Sequence, residues 1–189
     1  IWIQVDKASC PYDTVKIDKD ILLSGRWRYD LAAEKPVHTT SNSGAMCSIG
    51  NMAYSCSSSN SGYGASLAIA EYKLDTLPVV ATRVYSNSSQ SVCSPSNGTK
   101  PFTDGTYIYV PDGGKNGIGL HRYDPVSKTV TFVSMAVSGW GVGGSTGAYL
   151  ENGVYSVYDN SLYAFSPWSK KVARRSLDTG EITSMSSPG

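Results

Sequence analysis

The chain has 189 residues, enough for one all-β domain or two small ones, and its 40% hydrophobic content excludes a disordered polymer. Sixteen basic residues against fifteen acidic leave a net charge of +1, so no global field draws in a phosphate backbone or an anionic membrane. Nucleic acid is not expected as a partner, and neither is membrane insertion, since no apolar run approaches the roughly 18 residues of a spanning helix.

The chain opens at Ile1 without methionine or a signal-peptide-like segment, which fits a product from which a leader or pro-segment has been removed. Residues 1–5, IWIQV, read as a strand, and residues 29–34 suit one helical turn before Pro36. The polar stretches 39–44 and 57–62 read as loops, and residues 66–72 fit either strand or helix. Four cysteines, Cys10, Cys47, Cys56 and Cys93, all fall in this first half. Their even number, wide spacing and the presence of only two histidines point to disulfides rather than zinc. Two glycosylation-type triplets begin at Asn87 and Asn97, and with the cysteines they predict a secreted, extracellular protein.

Four cysteines allow three pairings, which sequence alone does not separate. Cys47 and Cys56 flank a Gly50-Asn51 hairpin signal, so a local bridge is expected there, with Cys10 then joined to Cys93. The longer bridge would contribute about 3–5 kcal/mol in the chain-entropy account. Residues 94–101, with two prolines and a sequon after the last cysteine, mark a boundary. The expected domains are 1–98, cysteine-containing and β-rich with some helix (α+β), and 99–189, cysteine-free.

The second half shows clearer strands. The stretches 106–110 (TYIYV), 119–123 (GLHRY) and 129–133 (TVTFV) are separated by turn-rich PDGG and DP. After the glycine-rich residues 139–147 come 148–150, 154–158 (VYSVY) and 161–165 (SLYAF), parted by the turns Asn152-Gly153 and Asp159-Asn160. Strict alternation gives each strand one packed and one wetter face, which an antiparallel β-sandwich satisfies. The whole chain is expected to be mainly β.

Chemistry is harder to place. The residues 143–147, GGSTG, match G-x-S-x-G, but a nucleophile elbow needs a strand before it, a helix after it and a later histidine, whereas His38 and His121 both come earlier. Ser145 is therefore read as loop, and His121 as an ordinary β-sheet histidine. Asp112, Asp124 and Asp159 sit in turns, so with Asp104 they form no convincing carboxylate pair. No catalytic residue, metal or cofactor is expected. Lys170 and Arg174, in the basic run 170–175, suit a solvated strand edge or an anionic partner. Trp140, between two glycines, either plugs a sandwich end or contacts a partner.

A processed start, a first half bearing Cys10, Cys47, Cys56 and Cys93, a Pro/Ser linker at 94–101 and a cysteine-free β second half resemble the dual-domain effectors secreted by plant-infecting wilt fungi, which include avirulence proteins. The resemblance implies a non-enzymatic virulence protein that binds host plant proteins and is recognised by a host immune receptor; a monomer is expected. An alternative rests on the likeness of residues 104–125 to 152–165 at an interval of about 47 residues, which reads as two blades of a small β-propeller. That alternative implies a carbohydrate-binding, lectin-like module.

Overall fold

The computed structural model describes residues 14–18, 21–24, 27–30, 35–38, 45–58, 67–73, 81–87, 101–111, 119–136, 154–166 and 171–186. They form four four-stranded antiparallel sheets, each a meander whose strands lie side by side in chain order. Sheet 1 holds β1 (Thr14–Asp18), β2 (Ile21–Ser24), β3 (Trp27–Asp30) and β4 (Lys35–His38). Sheet 2 holds β5 (Ala45–Ile49), β6 (Met52–Ser58), β7 (Leu67–Lys73) and β8 (Ala81–Asn87). Sheet 3 holds β9 (Phe102–Thr103), β10 (Ile108–Pro111), β11 (Gly119–Asp124) and β12 (Thr129–Ser134). Sheet 4 holds β13 (Val154–Tyr158), β14 (Ser161–Ser166), β15 (Lys171–Ser176) and β16 (Ile182–Ser186).

The mainly β expectation holds, and no helix occurs among the described residues. Tyr29 and Asp30, expected to begin a helical turn, instead finish β3 and pair with Pro36 and Lys35. The ambiguous stretch at 66–72 is strand from Leu67 onward. Residues 1–5 lie outside the described residues.

Local turn chemistry sets several hairpins. Gly50, with φ of 54°, links β5 to β6, and Asp159 and Asn160, with φ of 47° and 49°, give the paired left-handed conformations of a tight two-residue turn between β13 and β14. Where β11 turns into β12, Lys128 takes φ of 59° and its amide donates to the Asp124 carbonyl at 2.9 Å. Gly180 repeats this between β15 and β16, at φ of 72° and with its amide 3.0 Å from the Ser176 carbonyl.

Side-chain parity shows how the sheets stack. On sheet 3, Ile108, Val110 and Tyr123 pack with Cys47, Tyr54, Cys56, Leu67 and Ile69 of sheet 2. The alternate residues Tyr109 and Leu120 pack with Leu162, Ala164 and Ala173 of sheet 4. Sheet 3 is thus buried on both faces, and all four residues of β10 are buried. Sheet 2 buries its other face too, through Ala53, Ser55 and Tyr72. A two-layer sandwich over 99–189 does not describe this stacking, because one of its sheets shares a core with residues before the expected boundary at 98/99.

Neighbouring sheets also meet in an ordered way. The first strand of each lies against the first strand of the next: β1 on β5, β5 on β9, β9 on β13. A four-stranded meander therefore recurs in the first half as well. Its offset between the last two sheets is larger than the sequence suggested, since β11 and β15 begin at Gly119 and Lys171, 52 residues apart. The difference arises because β9 is only two residues long and carries no alternation to read.

Gly119 is where the chain tolerates no side chain. A Cβ there would sit 2.5 Å from both the Val133 carbonyl oxygen and the Phe132 ring. Phe132, 39% exposed, can swing aside, but the carbonyl belongs to the β11–β12 ladder. Gly119→Ala should lower stability by about 1–3 kcal/mol through overpacking. Chemical denaturation checks it: the midpoint should fall with the slope unchanged.

Candidate functional site

The two described cysteines are free thiols buried between sheets 2 and 3, which corrects the expected Cys47–Cys56 bridge. The β5–β6 register explains it, because Cys47 stands opposite Tyr54 and Cys56 opposite Ala45. Such diagonal positions are roughly 7–8 Å apart, beyond the usual disulfide span of about 4.4–6.8 Å. Burial pushes the Cys47 thiol up to about 12, and Cys56 rises well above its ordinary value, by burial first and then by Cys47. Neither thiol is a ready nucleophile. Cys10 and Cys93 lie outside the described residues.

The other sequence candidates are scattered. Asn87 ends β8, half-buried, and its side-chain amide donates to the Tyr85 hydroxyl at 3.4 Å. Arg174 is half-buried in β15, opposite Tyr163 and Thr183. Asn97, Asp112, Trp140, Ser145 and Lys170 lie outside the described residues. His38 closes β4 opposite Trp27. His121 is buried in β11 with its ring edge-on to Phe132 at 5.8 Å, as a β-sheet histidine would be.

The structure does assemble a polar junction that the sequence reading missed. Glu71 of β7 follows Leu67 and Ile69 on the face of sheet 2 that packs against sheet 3, so its carboxylate enters the interface. There it accepts the Tyr123 hydroxyl proton at 3.2 Å and pairs with the Lys128 ammonium. The Glu71 side chain is 11% exposed and Lys128 45%, so the pair closes the rim of the interface. Tyr54 packs its ring 6.1 Å from that of Tyr123. Burial, then the Glu71 charge and Cys47, push the Tyr54 hydroxyl up to about 12. Tyr123 moves in the same direction, mainly through burial and then through Glu71.

A second cluster organises sheet 3 toward sheet 4. One oxygen of the Asp104 carboxylate accepts the amides of Thr106 and Tyr107 at 2.8 and 2.7 Å, and the other accepts the Tyr109 hydroxyl at 2.8 Å. Phe102 stacks on Tyr109 at 5.3 Å, and the Arg122 guanidinium lies 4.7 Å from the centre of the Tyr107 ring. Burial, followed by the Asp104 bond, raises the Tyr109 hydroxyl. Asp124 instead caps the β11–β12 turn, where bonds from the Val126 amide and Ser127 hold its carboxyl below the ordinary value.

The hydroxyls of Tyr54, Tyr109 and Tyr123 therefore stay protonated at neutral pH, and those of Tyr109 and Tyr123 act as donors. Chemically, the first cluster ties sheet 2 to sheet 3, and the second braces the β9–β10 turn within sheet 3. Among the described residues no group of three His, Cys, Asp or Glu side chains gathers to hold a metal, and no helix is long and apolar enough to cross a membrane.

No family model matches the chain, and no curated protein does. Among solved structures it is similar to a protein of unknown function from Bacteroides thetaiotaomicron, with a TM-score of 0.50 and 15% identity. That match covers 90% of this chain but 42% of the other, so the chain spans less than half of that protein's length. It is also similar to AtxE2 isopeptidase in its apo form, with a TM-score of 0.47 and 12% identity over 86% of this chain and 24% of that one. The first likeness concerns the fold alone, and the second carries no argument.

Tyr123→Phe should cost about 0.5–1.5 kcal/mol, one hydrogen bond to a carboxylate at a half-open rim. Glu71→Ala should cost more, since it leaves the Tyr123 hydroxyl without its acceptor. Urea denaturation that ranks the two the other way would contradict the junction. For the thiols, alkylation of the native protein should spare Cys47 and Cys56, and alkylation after unfolding without reductant should label both, read by peptide mass.

Proposed function

We propose that the chain is an arc of β-propeller blades acting as a non-enzymatic recognition module, and that its ligand is carbohydrate. The observation that carries this reading is the contact of each sheet's first strand with the first strand of the next. Consecutive meanders stacked face to face, with their first strands converging, are the arrangement of blades about an axis. The sandwich-based effector reading depends on two halves with separate cores. The cluster joining Cys56 and Ile69 to Ile108 and Tyr123 gives that layout no support.

Topology favours one end of the array for binding. In every sheet the first-to-second and third-to-fourth strand turns share one end, and the second-to-third connection and the links between sheets leave from the other. The latter set includes the longest connections, 88–101 and 135–153. Long connections carried on a rigid scaffold are where ligands are read. Trp140 and Lys170 fall in connections of this set. Tyrosine and tryptophan, thirteen and four in the chain, offer flat apolar rings with a polar tip, suited to the C–H faces and hydroxyls of a sugar. An extracellular setting belongs to the same proposal.

A glycan array should show saturable binding that soluble sugar competes away. Trp140→Ala should weaken it roughly tenfold, about 1.4 kcal/mol, at an unchanged denaturation midpoint. If no glycan binds while the chain captures a host protein, the carbohydrate reading falls and a protein-binding effector takes its place.

A further inference from the structure

Six described residues have a positive φ, and five of them are glycine, aspartate or asparagine, the types that accept it readily. The sixth is Lys128, at 59°. A second turn in the same chain shows what this position needs for the turn alone. In the β15–β16 turn the Gly180 amide donates to the Ser176 carbonyl, and in the β11–β12 turn the Lys128 amide donates to the Asp124 carbonyl, four residues back in both. The first residue of each turn also takes the amide three residues on with a side-chain oxygen: Ser176 from Thr179 at 3.2 Å, and Asp124 from Ser127 at 3.3 Å. Two turns of the same build therefore carry glycine in one sheet and lysine in the other. Glycine is the unstrained choice at such a φ, so the turn itself gives no reason for the lysine.

The reason lies across the interface. The Lys128 ammonium pairs with Oε1 of Glu71, the same oxygen that accepts the Tyr123 hydroxyl. With its side chain only 11% exposed, Glu71 has lost most of its water, and a carboxylate in that position needs a cation beside it. Lys128 supplies one from the turn. Glu71 also stands in a cross-strand row, Cys47–Tyr54–Glu71–Thr82, that crosses all four strands of sheet 2. Thr82 at one end of the row is exposed and Cys47 at the other is buried, so the ion pair lies between solvent and a thiol.

We propose that Glu71 and Lys128 form a releasable clasp between sheets 2 and 3, that a strained lysine is kept in the β11–β12 turn to make it, and that its release lets the two sheets part at this rim and admits solvent to the Cys47 thiol. An ion pair whose lysine is 45% exposed is open to screening by salt. The apolar packing of Tyr54, Ile108 and Tyr123 behind it is not. The clasp is thus the part of this interface on which ionic conditions act. The inference concerns the contact of the two sheets and is independent of what the chain binds.

Two readouts test it. In urea denaturation Lys128→Gly should lower the midpoint although it relieves the backbone. In a Glu71→Gln background, where Tyr123 keeps an acceptor but the charge is gone, the same substitution should raise the midpoint. Native-state labelling of Cys47 by a thiol reagent, read by peptide mass, should quicken roughly fivefold in Lys128→Gly and in Lys128→Met. The methionine variant keeps the side-chain stem and the strained backbone without the charge, so it separates the clasp from the turn. High sodium chloride should speed labelling of the unaltered protein in the same way, and in Glu71→Gln neither salt nor the lysine substitutions should change the rate further. A midpoint that rises with Lys128→Gly in the unaltered background would overturn the proposal, and so would Cys47 labelling indifferent to both lysine substitutions.

Discussion

The middle sheets have to satisfy a different neighbour on each face, and most of the architecture follows from that demand. On β10, Ile108 and Val110 pack toward sheet 2 while Tyr109 between them packs toward sheet 4. A strand in this position has no solvent side to which a polar residue can be consigned. Its sequence reads as a short run of β-branched and aromatic residues, and a one-residue slip of register would exchange two unlike surfaces rather than merely expose a core. The small residues Ala53, Ala164 and Ala173 sit where neighbouring sheets approach, and large rings such as Tyr72, Tyr109 and Tyr123 fill the space between. Close packing with large opposite small lets successive sheets sit against one another without voids.

Tyrosine is a practical choice for such interfaces. Its ring supplies apolar area, and its hydroxyl can end at the rim, where a carboxylate awaits it. Tyr123 reaches Glu71 and Tyr109 reaches Asp104, while Tyr72 and Ser55 satisfy each other at 3.1 Å. In the first two cases the acceptor is itself held: Glu71 by Lys128, and Asp104 by two backbone amides. A buried carboxylate without such partners would be costly, so these donors are what allow acidic residues at the edge of an apolar layer. Arg175 does similar work between sheets 3 and 4, donating to the Ser134 carbonyl at 3.1 Å.

Much of the local structure was legible in the sequence. Positive φ at Gly50, Asp159 and Asn160 reflects residue types that accept that conformation, and the alternation of 119–123 and 129–133 placed β11 and β12 to within a residue. The first half was less legible for a physical reason. In residues 14–38 the strands β1 to β4 are four or five residues long with short connections, so few alternating positions accumulate in each, and in β6 the polar run at its end reads as loop although Ser57 and Ser58 pair with β7. The junction at Glu71 left one faint signal, a charged residue in phase with Leu67 and Ile69, which alternation alone assigns to a packed face.

By itself, the sequence determined the β character of the chain, the tight turns and, in the second half, which residues share a face. These depend on φ preferences and a period of two, both local properties. Only the tertiary structure decided what covers each face, and hence that a core crosses residues 98 and 99, that Cys47 and Cys56 remain thiols and that Glu71 meets Lys128. Alternation says which side chains point together but is silent about the sheet they point toward. A thiol pair two residues out of register, or a carboxylate facing a lysine 57 positions away, takes its meaning from a neighbour that no local pattern specifies.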